Sequence, residues 1–309
     1  MIVNVMILCI LILSLSCCAV MFYQLKRQPS PVLSWRDKAK LLGSGVVAFI
    51  ADTLGIGSFA VNIAMAKLLN TFHDDELPAM NNGAQVIPGT IESLFFMHLI
   101  TVDLTTLLTL VGGTCLGGVL GGTVVTHLRP QAIRVAMIAC FILIIGLLIG
   151  HQFHWLPSGG DVVALHSWKL VLGFFGMMIC GALTSVGIGL FAMVQGVLFL
   201  LNVSPAVAFP IMTTAGAMQQ PLTTLVFLQQ KKIPLKRTLL VSLGGCLGVL
   251  MILPLFKYFT ASWLHSLLII ILFYNLYAIG RDYWHSRQLA RSGAIDESIE
   301  PMIETEDHR

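Results

Sequence analysis

Nine apolar stretches recur along the chain, at about 2–23, 41–70, 78–97, 104–126, 132–150, 168–201, 205–228, 238–257 and 262–280. Roughly 20 apolar residues are enough to cross the hydrocarbon core of a bilayer. The composition agrees with that reading: 56% of the 309 residues are hydrophobic and 11% are charged, where a soluble domain carries about 25% charge. The fold class expected is an all-α polytopic membrane protein, multi-pass in a cell membrane of the bacterial inner or plasma type.

Two of the stretches, 41–70 and 168–201, are too long for one straight crossing, and the same word interrupts both. "GIGSFA" runs from Gly55 to Ala60 and "GIGLFA" from Gly187 to Ala192. Residues 51–70 and 183–202 agree at eight of twenty positions, ending on Asn70 and Asn202. Further landmarks follow in the same order. Pro78-Ala79 corresponds to Pro205-Ala206, Gly83-Ala84 and Pro88 to Gly216-Ala217 and Pro221, and "GTCLG" (113–117) to "GGCLG" (244–248). The chain therefore reads as two homologous repeats of about four spans with broken helices, 41–150 and 168–280, plus one extra N-terminal span. A basic loop closes the anchor segment 1–40, a connecting loop covers 151–167, and a polar tail covers 281–309. Four clean spans per repeat make the repeats parallel; a re-entrant hairpin at each GIG makes them inverted.

The repeated break has a physical use. Glycine lets a helix unwind and lets other groups approach the backbone. Unwound backbone at membrane depth is tolerated where it is buried in protein or lines a cavity, and corresponding interrupted spans mark the binding site of many transporters. The half-helix after each break offers free N–H groups and the positive end of its dipole, which suits an anion. The substrate-binding candidates are Gly55, Gly57, Ser58, Phe59 and Asn62 at the first break, and Gly187, Gly189, Leu190, Phe191 and Gln195 at the second. Asn82 and Thr214 are added as uncharged donors. Asp52 and Glu92 are acids within apolar spans, where a charge is costly and functional by default, and both are candidates for proton coupling.

Orientation follows the basic residues. Lys26, Arg27, Arg36, Lys38 and Lys40 form one cluster, Lys231, Lys232, Lys236 and Arg237 a second, and Arg281, Arg287 and Arg291 a third. Nine crossings put all three in the cytoplasm and the acidic "HDDE" (73–76) outside. Arg129 and Arg134 then also fall outside, against the rule. Lys67 is expected to snorkel to the outer surface. The tail is expected to be solvated and mobile. The seven cysteines lie in apolar segments as packing residues, and the histidines of "HQFH" (151–154) belong to an interfacial loop. Neither metal nor cofactor is expected, and no Walker motif is present.

Over about 41–280 the chain resembles the TauE/SafE family of membrane permeases, the sulfite exporters. "FIADTLGIGSFAVNIAMAKL" (49–68) is similar to the family's first-repeat motif and "VGIGLFAMVQGVLFLLNVSPAVA" (186–208) to its second; the first break is only G-I-G where the family commonly has a longer glycine run. The resemblance implies a secondary transporter of small anions, often sulfur-containing ones such as sulfite or an organosulfonate, in several cases proton-linked. The partners expected are a small anionic substrate and the lipid bilayer, with a homodimer left open and no nucleic acid. The alternatives are an integral-membrane enzyme, for which no clustered nucleophile and base or metal-ligand set is visible, and a membrane assembly factor without transport activity.

Overall fold

The computed structural model describes residues 2–27, 32–96, 102–153, 155, 160–258 and 262–292. The described residues are almost entirely helical. In chain order the helices are α1 (Ile2–Arg27), α2 (Trp35–Thr53), α3 (Ser58–Leu69), α4 (Leu77–Phe96), α5 (Leu104–His127), α6 (Pro130–Gln152), α7 (Ser167–Thr184), α8 (Leu190–Leu200), α9 (Pro205–Gln229), α10 (Leu235–Ile252) and α11 (Ser262–Ser292). Five of them, α1, α5, α6, α7 and α10, are long and apolar enough to cross a membrane. Large apolar side chains such as Leu15, Val124, Met251 and Ile270 face outward, while Asn81, Asn82, Glu92 and Gln219 are buried.

The two over-long stretches break where the glycines stand. α2 ends in a Schellman-type turn: the Ile56 N–H donates to Ala51 O (2.9 Å) and the Gly55 N–H to Asp52 O (2.8 Å), with Gly55 at φ +91°. A side chain is strained at that φ, and Gly there removes the cost. Gly57 follows at φ +95°, and Gly187 holds the corresponding place after α7 at φ +100°. The half-helices α3 and α8 stop alike, on Asn70 (φ 50°) and Asn202 (φ 61°). Asn tolerates the left-handed conformation better than other residues with a side chain, which explains why the same letter recurs.

Long-range bonds sort the helix termini into two ends. At one, here the basic end, Gln24 of α1 donates to Leu228 O near the end of α9 (3.3 Å). Arg237 at the start of α10 donates to Thr71 O (2.7 Å) and pairs with Glu76 (2.5 Å). Arg134 at the start of α6 pairs with Asp74 (2.5 Å) and Lys67 pairs with Asp282 of α11 (2.7 Å). At the far end the Leu165 N–H before α7 donates to Thr106 of α5 (2.9 Å), and Val162 bridges Val203 between α8 and α9.

Glycine rows fix the direction of α2 and α7. Cβ atoms on Gly113, Gly117 and Gly121 of α5 would strike the backbone at Phe174, Met178 and Ala182 of α7. Cβ atoms on Gly244 and Gly248 of α10 would strike Leu42 and Val46 of α2. Residue numbers rise together in both pairs, so both pairs are parallel. Such small-residue rows let apolar helices approach to backbone contact. Gly117→Val is expected to cost about 1–3 kcal/mol by overpacking, read as earlier thermal unfolding in detergent.

The path that results corrects the expected topology. α2 enters from the basic end, and α3 returns to it, because Lys67, Thr71, Asp74 and Glu76 are bonded to residues of that end. α7 enters from the far end and α8 returns there. "HDDE" therefore shares an end with Arg237 and Asp282 rather than opposing them, and Arg134 joins the other basic residues. Each break reverses the chain once. The two reversals cancel, so both termini keep the ends that nine crossings would give them. Lys67, expected to snorkel, is instead bonded to Asp74 and Asp282. The tail expected from 281 onward begins as helix, since α11 runs to Ser292. Residues 293–309 and His154 of "HQFH" lie outside the described residues.

Candidate functional site

The two breaks meet. A small cavity of about 20 Å³, room for a water molecule or so, is lined by Ile56, Gly57 and Ala60 from the first break, and by Ile188, Gly189 and Phe191 from the second. Phe141 and Ile144 of α6 and Leu268 and Leu272 of α11 complete the wall. α4 stitches the breaks together. The Asn81 side-chain amide donates to Phe59 O and to Gly187 O (3.4 Å each). That of Asn82 donates to Pro78 O (2.9 Å) and Thr184 O (3.2 Å).

The two half-helices present different N-termini. At α3 the Ser58 N–H donates to Asp52 Oδ1 (2.6 Å), so the chain's own carboxylate occupies the position an anion would take. At α8 the N-cap is Gly189, which has no side chain to cap with, and no side chain among the described residues accepts from the Leu190 or Phe191 N–H. Thr184, which stands where the first break has Asp52, instead donates to Cys180 O (2.8 Å). A half-helix whose first N–H groups lack a cap carries the partial positive charge of its dipole toward the cavity beside it.

Asp52 anchors a polar chain through the first half. Its Oδ2 accepts from Gln85 Nε2 (2.5 Å), and Gln85 Oε1 accepts from Ser58 Oγ (2.5 Å). Glu92 accepts from Thr53 Oγ1, and its carboxyl group also faces that of Asp52. Both acids are 2% exposed. Glu92 is thus an interior residue, and the two acids form one unit through α2 and α4. Two acids facing each other share their protons, so gain or loss at one is felt at the other.

Of the sequence candidates, Gly57, Gly189 and Phe191 line the cavity. Gly55 and Gly187 make the turns that shape it. Ser58 belongs to the Asp52–Gln85 chain, Phe59 gives its carbonyl to Asn81, and Leu190 is buried at the start of α8. Asn62 and Thr214 are buried outside the cavity wall. Neither Asn62 amide atom has a partner among the described residues, and the Thr214 hydroxyl has none either. Asn82 holds Thr184 O and has an unpartnered Oδ1, and Gln195, a turn beyond Phe191, is half-buried. Sequence reasoning missed Thr53, Phe141, Ile144, Leu268 and Leu272. Thr53 is adjacent to a flagged acid; the other four look like any lipid-facing residue until α6 and α11 are seen to wall the breaks. No group of three or more His, Cys, Asp or Glu able to hold a metal occurs among the described residues. Comparison with protein-family models, with curated proteins and with solved structures finds no match for this chain.

Proposed function

We propose that this chain is a multi-pass membrane permease that moves a small anion by secondary transport, in line with its sequence resemblance to the sulfite exporters. The observation that carries the reading is the meeting of two glycine breaks at one small cavity, beside the N-terminus of α8, where no side-chain cap occurs among the described residues. A buried polar group without a partner costs about 1–3 kcal/mol, and an acid within an apolar span is costly even when bonded, so a fold that keeps Asn62, Thr214 and the Asp52–Glu92 pair in its interior retains them against their cost. Transport gives such groups a purpose: they are met in turn by protons, water or substrate.

In this reading the repeat units are α2–α6 and α7–α11, and they are inverted. The first unit enters from the basic end and the second from the far end. α2 packs on α10 and α7 on α5, which are the same pair exchanged between units; α4 meets α9 and α6 meets α11. Inverted repeats with broken helices at the midplane are a recurring transporter design. The basic end is cytoplasmic. Among the described residues only Lys169 and Lys257 belong to the far end, while Lys and Arg flank nearly every terminus at the other. Trp155 and Trp168 at the far end, and Trp35 and Trp284 at the basic end, are exposed as interfacial aromatics are.

The anion's charged group is held at the α8 N-terminus near Gly189, and the Asp52–Glu92 unit carries the coupled proton. The test is uptake and efflux in proteoliposomes against a panel of sulfite, sulfonates and carboxylates, with and without a pH gradient. Saturable flux of at least one anion, stimulated by the gradient, is expected. Flux no higher than in protein-free vesicles for the whole panel removes the reading.

A further inference from the structure

We propose that the buried ion cluster Lys67–Asp74–Arg134–Asp282 is the gate that closes the cavity toward the basic end. The inference rests on the permease reading for its purpose, but not for its geometry. Asp74, whose side chain is 3% exposed, accepts from both Lys67 and Arg134. Lys67 also pairs with Asp282 (2.7 Å), and Arg134 donates to Ser286 (2.5 Å). These groups sit on α3, α6 and α11 and on the loop after α3. The same three helices supply the cavity wall through Ala60, Ile144 and Leu272.

The cluster lies about 10–15 Å along each helix from the cavity, at 1.5 Å per residue. Ala60 is seven residues from Lys67, Phe141 seven from Arg134, and Leu272 ten from Asp282. The pairs join α3, α6 and α11 to one another on the basic-end side of the cavity. The two ends are closed by different chemistry. Every ion pair among the described residues lies at the basic end. At the far end the described closure is hydrogen bonding: backbone bonds around Val162 and Val203, and the Leu165 N–H donating to Thr106. A charge cluster suits a switch: intact it holds, and once one partner leaves, the others seek water and stay apart.

The test places a cysteine on the cavity wall, Ile144→Cys, in vesicles of defined orientation. Labelling by a membrane-impermeant thiol reagent is followed at that peptide by mass spectrometry, from each side. Adding Asp74→Asn should raise the labelling rate from the basic end at least about tenfold and leave the far-end rate unchanged, while Asp74→Glu stays near the parent rate. Asp282→Asn, at the more exposed rim, should shift the rate in the same direction and decides the matter if Asp74→Asn is not recovered folded. An unchanged basic-end rate, or an equal rise from both ends, overturns the gate. Labelling needs no substrate, so a positive result with no anion flux sinks the permease reading and leaves the gate standing.

Discussion

Asp52→Asn is expected to abolish accumulation of substrate driven by a pH gradient, by at least about tenfold, while exchange of substrate across the membrane continues. The side chain keeps its shape. Its remaining carbonyl oxygen still accepts from the Ser58 N–H, so the start of α3 stays capped. What disappears is the proton site, and with it the link to Glu92 and to Gln85, whose amide donates to Asp52 Oδ2. Glu92→Gln is the comparison. Because the two acids face each other, it should weaken coupling as well, where an isolated Glu92 would leave it untouched. Accumulation by Asp52→Asn at the parental rate makes Asp52 a helix cap alone.

Gly189→Leu is expected to lower anion flux by about tenfold or more with little loss of folded protein, because a side chain there blocks approach to the α8 backbone. Gly189 has φ −58°, and a Cβ on it would meet only the Phe59 side chain, at 3.8 Å. Gly57→Leu should behave differently. Its φ of +95° strains any side chain, by about 1–3 kcal/mol, so this variant loses folded protein and flux together. The paired letters of the two GIG words thus have unequal roles. Flux measured per folded molecule separates them, and parental flux by Gly189→Leu removes the α8 N-terminus from the mechanism.

Most helix limits were legible in the sequence to within a few residues, but not the start of α2 at Trp35 or the end of α11 at Ser292. Apolar length and the flanking Gly, Pro and charged residues set their limits, and the GIG words marked the breaks. The reversal at each break was not legible. A half-helix of eleven or twelve residues joined to its predecessor has the length of one long tilted crossing, and no local letter distinguishes return from continuation. The distinction lies in pairs such as Arg237–Glu76 and Arg134–Asp74, whose members are far apart in sequence. The acidic "HDDE" looked external because nine crossings placed it there, although its partners were the basic residues it seemed to avoid.

The site divides the same way. Asp52 and Glu92 stood out because charge is costly in an apolar span. Their joining into one unit depends on the end of α2 reaching α4 through the Thr53–Glu92 and Asp52–Gln85 bonds, which sequence does not state. Asn62 and Thr214 were chosen as donors near the breaks and are indeed buried, but the wall of the cavity is apolar. Its residues from α6 and α11 carry no mark that separates them from lipid-facing ones. The Lys67–Asp74–Arg134–Asp282 cluster was hidden because each charge, taken singly, reads as a helix flank.

The central claim, that the chain turns back at both glycine breaks, is tested most directly by sided labelling of single cysteines at Asp75, Lys232 and Asp161. In intact cells and in inverted vesicles, Asp75→Cys and Lys232→Cys should be labelled from the same side, the cytoplasmic one, and Asp161→Cys from the opposite side. Labelling of Asp75→Cys from the side opposite to Lys232→Cys would mean that α3 continues across the membrane, and would contradict the account.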